Sequence, residues 1–535
     1  MKKYIVTIAM LGLLGTACNS KLDVAPPNSI TDEQINEVLD QNLTTIVKPM
    51  SDALPGIFWQ GVPGGDFRIS DLTSMHLWAL GVKANDIVFS GNTSEAYNQY
   101  VNITEIQGES NRWNGNMWTW IYGHISSSVN SMLNLMDDIK EENLETDDER
   151  QKASYKASGL AMRAYLYTWL MQMWTDNYTE ANASGLAGVP YYTVYNPYQD
   201  PLPREMASTV WTNILNDASK AVKLFQAAGT GFTDAPNDID LGVACMIWAR
   251  AAYAAGAWDQ VISAVDLLES KYDNQFISPE NYIGDRTGDP NGFPQFTAFS
   301  RVDAAINPEV IFGVQVSNVL TGSYAGSNFP GWMNCIGDDC YGGSRLGFMC
   351  IDKRLFDQIE PNDIRRQNFL EAPVHNYYFG EKSTVTDNVP VYANLKFAAK
   401  VSPDGSTSAQ YKQDIVVMRY SEAVLLKAEA QARSGQEGDA QTTLSKLTTA
   451  RGASAVTESG EALMARIRLE TRIEMWGEQG IEWLRNKRWG IGVDRQNGTT
   501  NHTSAAVVPA GNAFTWQIPL CETLYNHDIQ QNPAY

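Results

Sequence analysis

Apolar residues recur at intervals of three and four along much of this chain, which is the spacing of an amphipathic helix. In the segment 153–174, Leu160, Ala164 and Tyr167 belong to one such stripe, and the segment 210–225 shows the same period. Because the stripe repeats over many turns in each segment, the pattern predicts a chain dominated by helices.

Two segments combine the helical period with a central glycine. Residues 242–269 predict two helices joined around Gly256, and residues 424–447 predict two more around Gly435. Small residues stand where the paired helices would cross, as in tetratricopeptide hairpins. Ordinary antiparallel helix pairs would give nearly the same architecture. Because the two pairs lie far apart in sequence, we expect a scaffold with long insertions and not a uniform solenoid.

The longest insertion, residues 272–401, is rich in Gly, Pro, Asn and aromatic residues and has few helical periods. We predict a mainly α protein in which tetratricopeptide-like helix pairs form a scaffold and this loop-rich insertion carries short strands. Loops on a rigid scaffold are where binding residues concentrate. We expect one domain over residues 31–535, with helical parts at 31–271 and 402–535 on either side of the insertion.

The amino terminus has the layout of a cleaved signal peptide. Lys2 and Lys3 precede an apolar run from Tyr4 to Ala17, which is closed by small residues and Cys18. The run is shorter than the roughly 20 apolar residues that span a bilayer. We expect cleavage of residues 1–17, lipidation of Cys18 and an extended tether over residues 18–30. The alternative is a secreted protein with a chance cysteine at this position.

Composition indicates a folded globular protein, with 44% hydrophobic and 10% aromatic residues in 535. A net charge of −21 argues against nucleic acid as a partner, since Lys and Arg supply most of the affinity for phosphates. Five cysteines follow Cys18, and an odd number precludes a complete disulfide framework. Cys335 and Cys340 have a spacing that a small disulfide could close, or they are two free thiols.

We find no pattern of catalytic residues. The five histidines are scattered, and Gly343-Ser344-Arg345 lacks the second glycine of a nucleophile elbow. The two carboxylates of a glycosidase would be invisible in sequence, because their separation is spatial. Asp285, Asp289 and Asn291 are spaced loosely like a calcium loop but miss its register, and a Gly/Pro turn explains the same residues. Calcium is therefore the one cofactor that we consider.

Ligand contacts are expected where aromatic and polar residues meet outside the helical stripes, because aromatic faces stack on sugar rings and polar groups bind hydroxyls. Trp332, in a run of Gly and Asn, is the best single candidate. Trp118, Trp120 and Trp174 lie in predicted helices and are expected in the core. The full set of candidates is an early group, Asp66, Arg68, Asp86 and Trp113, and a late group, Tyr324, Asn328, Phe329, Trp332, Asn334 and Tyr341.

Three blocks near the carboxyl terminus resemble the SusD/RagB family of surface nutrient-binding lipoproteins. They are the segment 414–435 with its Arg-Tyr-Ser-Glu run at 419–422, the helix-like segment 466–490, and the terminal Gln-Asn-Pro-Ala-Tyr at 531–535. Asn-Pro-Glu-Val-Ile-Phe at 307–312 is similar to a strand entry of that family.

This resemblance implies the SusD-like fold and a binding protein that is not an enzyme. It implies a lipid anchor in the outer membrane, with the protein facing the cell exterior, and delivery of oligosaccharides or polysaccharides to a SusC-like TonB-dependent transporter. The alternatives are capture of oligopeptides, as in the RagB branch, and a lipid-anchored hydrolase.

Overall fold

The computed structural model describes residues 32–58, 80–90, 105–315, 333–336, 348–375, 388–400, 413–496, 498–503 and 506–534. The chain divides into two compact units, Met1–Met50 and Ser51–Tyr535. The described part of the first unit belongs to helix α1 (Asp32–Ala53), which is kinked at Asn42 and contains Pro49. The expected signal peptide, tether and lipidated Cys18 lie outside the described residues, and the expectation of one domain over 31–535 stays a prediction.

Helices dominate the second unit, as the hydrophobic pattern predicts. The helices of eight or more residues are α2 (Arg112–Gly123), α4 (Asp147–Trp174), α5 (Ala207–Ala228), α6 (Leu241–Ala255), α7 (Trp258–Tyr272), α10 (Tyr420–Arg433), α11 (Glu437–Ala450), α12 (Gly460–Glu474) and α13 (Ile481–Trp489). The short helices are α3 (Ser131–Asn134), α8 (Pro279–Ile283), α9 (Lys353–Phe356) and α14 (Leu520–Thr523). A π-helical stretch, His124–Asn130, joins α2 to α3.

Local sequence explains where the long helix α4 begins. The Thr146 side chain accepts a hydrogen bond from the Glu149 backbone at 3.1 Å, and the Glu149 carboxylate accepts one from the Thr146 backbone at 3.0 Å. This reciprocal capping box satisfies two N–H groups that the first turn leaves without partners. Trp174 at the end of α4 is buried, as are Trp118 and Trp120 of α2, which confirms that these three tryptophans belong to the core.

The two predicted helix pairs are present and lie side by side. Helix α6 packs on α7, α10 packs on α11, and α7 packs on α10. Gly256 and Gly435 follow α6 and α10 with φ of 74° and 78°, a left-handed conformation that favours glycine. The scaffold therefore joins segments that are far apart in sequence, and the predicted fold class is confirmed.

The described strands form four two-stranded antiparallel sheets. β1 (Ile87–Ser90) pairs with β3 (Phe348–Ile351), and β2 (Val310–Val314) pairs with β6 (Ile415–Arg419). The two short pairs are β4 (Val374–His375) with β5 (Asn388–Val389), and β7 (Val493–Asp494) with β8 (Val507–Val508). β2 begins inside the predicted strand entry 307–312, and β6 leads directly into α10, so the insertion is joined to the helical scaffold through this pair.

Candidate ligand-binding surface

Most of the predicted ligand residues lie outside the described residues. They are Asp66, Arg68, Tyr324, Asn328, Phe329, Trp332 and Tyr341. Cys340 also lies outside them, so the two alternatives for Cys335 and Cys340 stay open, and Cys335 itself is buried.

The structure describes three of the candidates, Asp86, Trp113 and Asn334, and all three are buried. Asp86 forms an ion pair with Arg472, with 2.9 Å between Oδ2 and Nε. The Asn334 amide donates to the Ala399 carbonyl at 2.8 Å and accepts from the Ile336 backbone. These side chains present almost no surface to a ligand, which corrects their assignment to the binding surface. The polar sequence around Asp86 and Asn334 suggested exposure, but tertiary partners bury both.

A single strand pair brings together the point where the chain leaves the early region and one point where it returns from the late region. In the antiparallel pair of β1 and β3, Ser90 lies opposite Phe348 and Ile87 opposite Ile351. The chain therefore leaves β1 and enters β3 at the same end of this small sheet. Residues 91–104, which follow β1, and residues 337–347, which carry Tyr341, are therefore connected to one end of one sheet, although about 250 residues separate them in sequence.

The early attachment segment, residues 80–90, is held by polar side chains from the carboxyl-terminal part of the chain. The Glu482 carboxylate accepts the backbone N–H groups of Asn85 at 2.9 Å and Asp86 at 2.8 Å, and the Trp476 indole donates to the Asp86 carbonyl at 2.8 Å. Burial and the nearby Asp86 carboxylate raise the pKa of Glu482 to about 8. Two helices, α12 and α13, therefore fix the backbone on which β1 begins.

The loop after α13 also forms hydrogen bonds to residues 80–90. The Arg495 guanidinium donates to the carbonyls of Val82 at 2.6 Å and Ala84 at 2.7 Å. His502 Nε2 lies 2.7 Å from the Asn85 carbonyl, so the neutral ring carries its proton on Nε2. Burial and the positive charge of Arg495 lower the pKa of His502 to about 4. The imidazole is thus a neutral donor at physiological pH.

The late attachment segments are joined by one amide. Asn394 Nδ2 donates to the Met333 carbonyl at 2.9 Å and to the Met349 carbonyl at 3.1 Å. Met349 lies in β3 and Met333 lies in the short described segment 333–336. Without this amide, two buried carbonyl oxygens would have lost a hydrogen-bond donor, which lowers the stability of the folded protein. The two described segments that flank residues 337–347 are therefore tied to a common point.

Asp285, Asp289 and Asn291, whose spacing is loosely like that of a calcium loop, lie in a hydrogen-bonded turn. The Asp289 carboxylate forms an ion pair with Lys400, and its Oδ1 accepts the backbone N–H groups of Asn291 at 2.9 Å and Phe293 at 3.0 Å. Asp285 accepts the Thr287 backbone in the same manner at 2.9 Å. The lysine ammonium already neutralises Asp289, so the turn explains these residues. Within the described residues, no group of three or more His, Cys, Asp or Glu is placed to hold a metal ion.

Two family models match this chain at opposite ends. Residues 374–535 match the model described as the SusD family, and residues 68–229 match the model described as starch-binding associating with outer membrane. The chain belongs to the SusD/RagB family. No curated protein matches it.

Solved structures of SusD-like proteins share the fold. A SusD-like carbohydrate binding protein from Bacteroides vulgatus is 21% identical with a TM-score of 0.71, and the match covers 91% of this chain and 97% of that one. Surface glycan-binding protein A from Bacteroides thetaiotaomicron, solved in complex with laminarihexaose, is 16% identical with a TM-score of 0.63, covering 91% and 99%. A SusD superfamily protein from the same species is 19% identical, with a TM-score of 0.65 and coverage of 91% and 99%.

In this SusD-family protein, the motif residues near the carboxyl terminus form a buried charge network. Arg419 of the Arg-Tyr-Ser-Glu run lies 2.9 Å from Glu309, 2.7 Å from Glu474 and 2.8 Å from Glu478. Arg451 also bonds to Glu309 and Glu474, and all five side chains are buried. Glu309 precedes β2 and Glu474 ends α12, so the network joins the insertion to the helical scaffold. The arginines hold the pKa of Glu474 well below its usual value.

The structure thus gives these motifs a structural role that sequence reasoning did not predict. Helices α10 and α12 of this SusD-family chain carry Glu residues among the apolar residues of their buried faces, and this is a local signal of such pairing. Which charges pair is invisible in sequence. Within the described residues, no helix has the length and apolar character needed to cross a membrane.

Proposed function

We propose that this protein binds oligosaccharides or polysaccharides at the cell surface and delivers them to a SusC-like TonB-dependent transporter, without catalysis. Membership of the SusD/RagB family carries the proposal, since both ends of the chain match family models and one is described as starch-binding associating with outer membrane. The similar fold of a surface glycan-binding protein in complex with laminarihexaose supports a glycan as the ligand.

The proposed ligand surface is formed by the loops attached at the β1–β3 sheet, with Trp332 as the platform for a sugar ring. An indole supplies a large contact area, and only two torsions are fixed when it binds. The buried bonds of Glu482, Arg495 and Asn394 support this surface, because they hold the attachment segments of the loops in place. Rigid attachment lowers the entropy lost on binding.

Retardation in polysaccharide gels tests the proposal. Protein of residues 19–535 should be retarded in gels that contain starch or laminarin, and Trp332→Ala should weaken binding by about 1–3 kcal/mol, the cost of losing an anchor residue. Trp332→Phe keeps an aromatic face and should retain most of the affinity. The melting temperature of each variant should stay within about 2 °C of the wild type.

Three results would change the proposal. Retardation by no polysaccharide, with binding of mixed oligopeptides, would establish a peptide ligand. Release of product from a bound polymer would establish a hydrolase. Loss of stability together with loss of binding in Trp332→Ala would place Trp332 in the core.

Membrane attachment is proposed through lipid on Cys18. The variant Cys18→Ala should move the full-length protein from the membrane fraction to the soluble fraction, because a lipidated cysteine with more than one acyl chain anchors stably. An unchanged membrane fraction would contradict the lipid anchor and leave the proposed ligand untouched.

A further inference from the structure

A groove lies between the loop 190–201 and the carboxyl-terminal segment 520–525, and none of the predicted ligand residues lines it. Its volume is about 260 Å³, and Tyr192, Tyr525 and Glu522 line it together with Ser126, Asn196 and Gln199. Pockets that enclose drug-sized ligands measure about 300–1,000 Å³. The groove therefore suits a ligand of one or two rings that keeps part of its surface in water.

Of the aromatic side chains that line the groove, Tyr525 is exposed, whereas Tyr192 and Tyr122 are held in place by hydrogen bonds. The Tyr525 side chain is 78% exposed, and its hydroxyl makes no hydrogen bond to a described residue. Tyr192 is half-buried, and its hydroxyl accepts the Leu202 backbone N–H at 2.9 Å. The Tyr122 ring lies perpendicular to Tyr192 at 5.8 Å and donates its hydroxyl to the Pro190 carbonyl at 2.8 Å. The part of the groove that Tyr192 and Tyr122 line is therefore preformed, while Tyr525 offers a free face for stacking.

The polar side chains of the groove have unused hydrogen-bonding capacity. Each Glu522 oxygen accepts one protein donor, Oε2 from the Trp118 indole at 2.9 Å and Oε1 from the Asn526 amide at 2.8 Å. A carboxylate has about four acceptor positions, so about two remain. The side chains of Gln199 and Ser126 make no hydrogen bond to any residue that the structure describes. Glu522 is thus held in one orientation and can still accept hydroxyl donors.

These aromatic and polar side chains favour a neutral ring with several hydroxyl groups as the ligand. Among the described residues that line the groove there is no Lys or Arg, which disfavours phosphate and other anions. A sugar ring has an apolar C–H face for a tyrosine and hydroxyls that both donate and accept, which amides and a carboxylate can match. A purely apolar ligand would cover the unused acceptor positions of Glu522 and the unused amide groups without bonding to them, at a cost in free energy.

We propose that this groove is a pyranose-binding subsite, separate from the loops attached at the β1–β3 sheet. The assignment of a sugar rests on the proposed function, and the location rests on the groove itself. A polysaccharide chain that reaches both surfaces would be held at two points, and linked sites raise the overall affinity without new contacts at either one.

Fluorine NMR of the protein labelled with 3-fluorotyrosine gives a local test. The Tyr525 resonance is assigned by its loss in Tyr525→Phe. The Tyr198 resonance is assigned through Tyr198→Phe and is the control, because Tyr198 is 93% exposed on the loop 190–201 and is not among the residues that line the groove. On titration with laminarihexaose and with maltohexaose to about 10 mM, a range that detects binding of about −4 kcal/mol, the Tyr525 resonance should move and saturate with at least one sugar.

The companion measurement is gel retardation of Tyr525→Ala and Tyr198→Ala. We expect affinity about tenfold weaker for Tyr525→Ala and within about twofold of the wild type for Tyr198→Ala, since tenfold corresponds to about 1.4 kcal/mol. Because Tyr525 is exposed, its loss leaves no cavity, and the melting temperature checks that the variant is folded.

The outcomes separate this subsite from the proposed function. If polysaccharide retards the wild type while both sugars leave the Tyr525 resonance unmoved, the subsite is wrong and the function stands. If the resonance moves with mixed oligopeptides and with neither sugar, the groove binds peptide and the sugar assignment is overturned. If no glycan binds in either experiment, both proposals fail.

Discussion

Individual polar side chains hold strand β1 in place in this protein. Glu482, Arg472 and Arg495 come from the carboxyl-terminal third of the chain, and each bonds to residues 82–86. Such groups lose hydration when they are buried, and only specific partners offset that loss. The segment next to the proposed ligand loops is therefore held by bonds that depend on the protonation of a few side chains.

His502 makes the stability of the fold depend on pH in a direction that can be measured. Its pKa is lowered from 6.5 to about 4, so between these values the unfolded chain binds a proton that the folded protein does not. Stability is therefore lost as the pH falls from about 6.5 towards 4. His502→Gln can still donate to the Asn85 carbonyl, and it should reduce the loss of unfolding free energy between pH 7 and pH 4.5 by at most about 2–3 kcal/mol.

Urea unfolding at both pH values measures this difference. Carboxylates titrate in the same range, so the comparison is between variants at each pH. His527→Gln is the matched control, because His527 is exposed. An equal acid loss in the wild type and in His502→Gln would show that the imidazole does not resist protonation in the fold.

At the scale of the helix pair, the two glycine turns differ in their surroundings. A Cβ at Gly256 would lie 2.2 Å from Nη2 of Arg488, whereas a Cβ at Gly435 would meet nothing within 4 Å. Arg488 itself donates to the Tyr178 carbonyl, and its guanidinium lies 5.0 Å from the centre of the Trp258 ring. The first turn is thus closed by a side chain from α13, and the second is open.

We expect Gly435→Ala to lower the unfolding free energy by about 1–2 kcal/mol, the cost of a left-handed conformation for a residue with a Cβ. Gly256→Ala carries the same cost and must also displace the Arg488 guanidinium, so its loss should be about 2–4 kcal/mol. Urea unfolding of the two variants measures both values. Equal losses would mean that Arg488 moves aside freely, and no loss in Gly256→Ala would contradict the turn.

Across the whole molecule, the network of Arg419, Arg451, Glu309, Glu474 and Glu478 connects the insertion with the scaffold. Its members come from four separate stretches of the chain and are buried. Removing one partner from such a network leaves buried charges without compensation, which costs more than the pairs contribute when complete.

We expect Arg419→Met to lower the unfolding free energy by about 3–5 kcal/mol, because three carboxylates lose their shared partner. Arg468→Met is the control, since Arg468 lies 3.9 Å from the exposed Glu461 and such surface pairs contribute about 0–1 kcal/mol. Chemical denaturation followed by circular dichroism measures both. A loss for Arg419→Met no larger than for the control would show that the network does not hold the fold.

The sequence predicted the helical elements well but did not predict the burial of Asp86, Trp113 and Asn334, the three ligand candidates that the structure describes, and the reason is physical. A helix such as α4 is visible because its bonds and its apolar stripe are local. Asn334 stands among Gly and Asn, which suggests an exposed loop, yet the Ala399 carbonyl 65 residues away takes its amide and buries it. Burial of a polar side chain depends on a distant partner, and no local pattern reports that partner.

By itself, the sequence determined the helix pairs and their glycine turns, the irregular character of the insertion, and the family through its ordered motifs. These features follow from periodicity, from backbone preferences and from short runs of residues, all of which act within a few turns of chain. Tertiary structure alone decided that β1 pairs with β3, that the family motifs form a buried charge network, and that Tyr192, Tyr525 and Glu522 share one groove. Each of these joins residues far apart in sequence, and their contact exists only when the chain is folded.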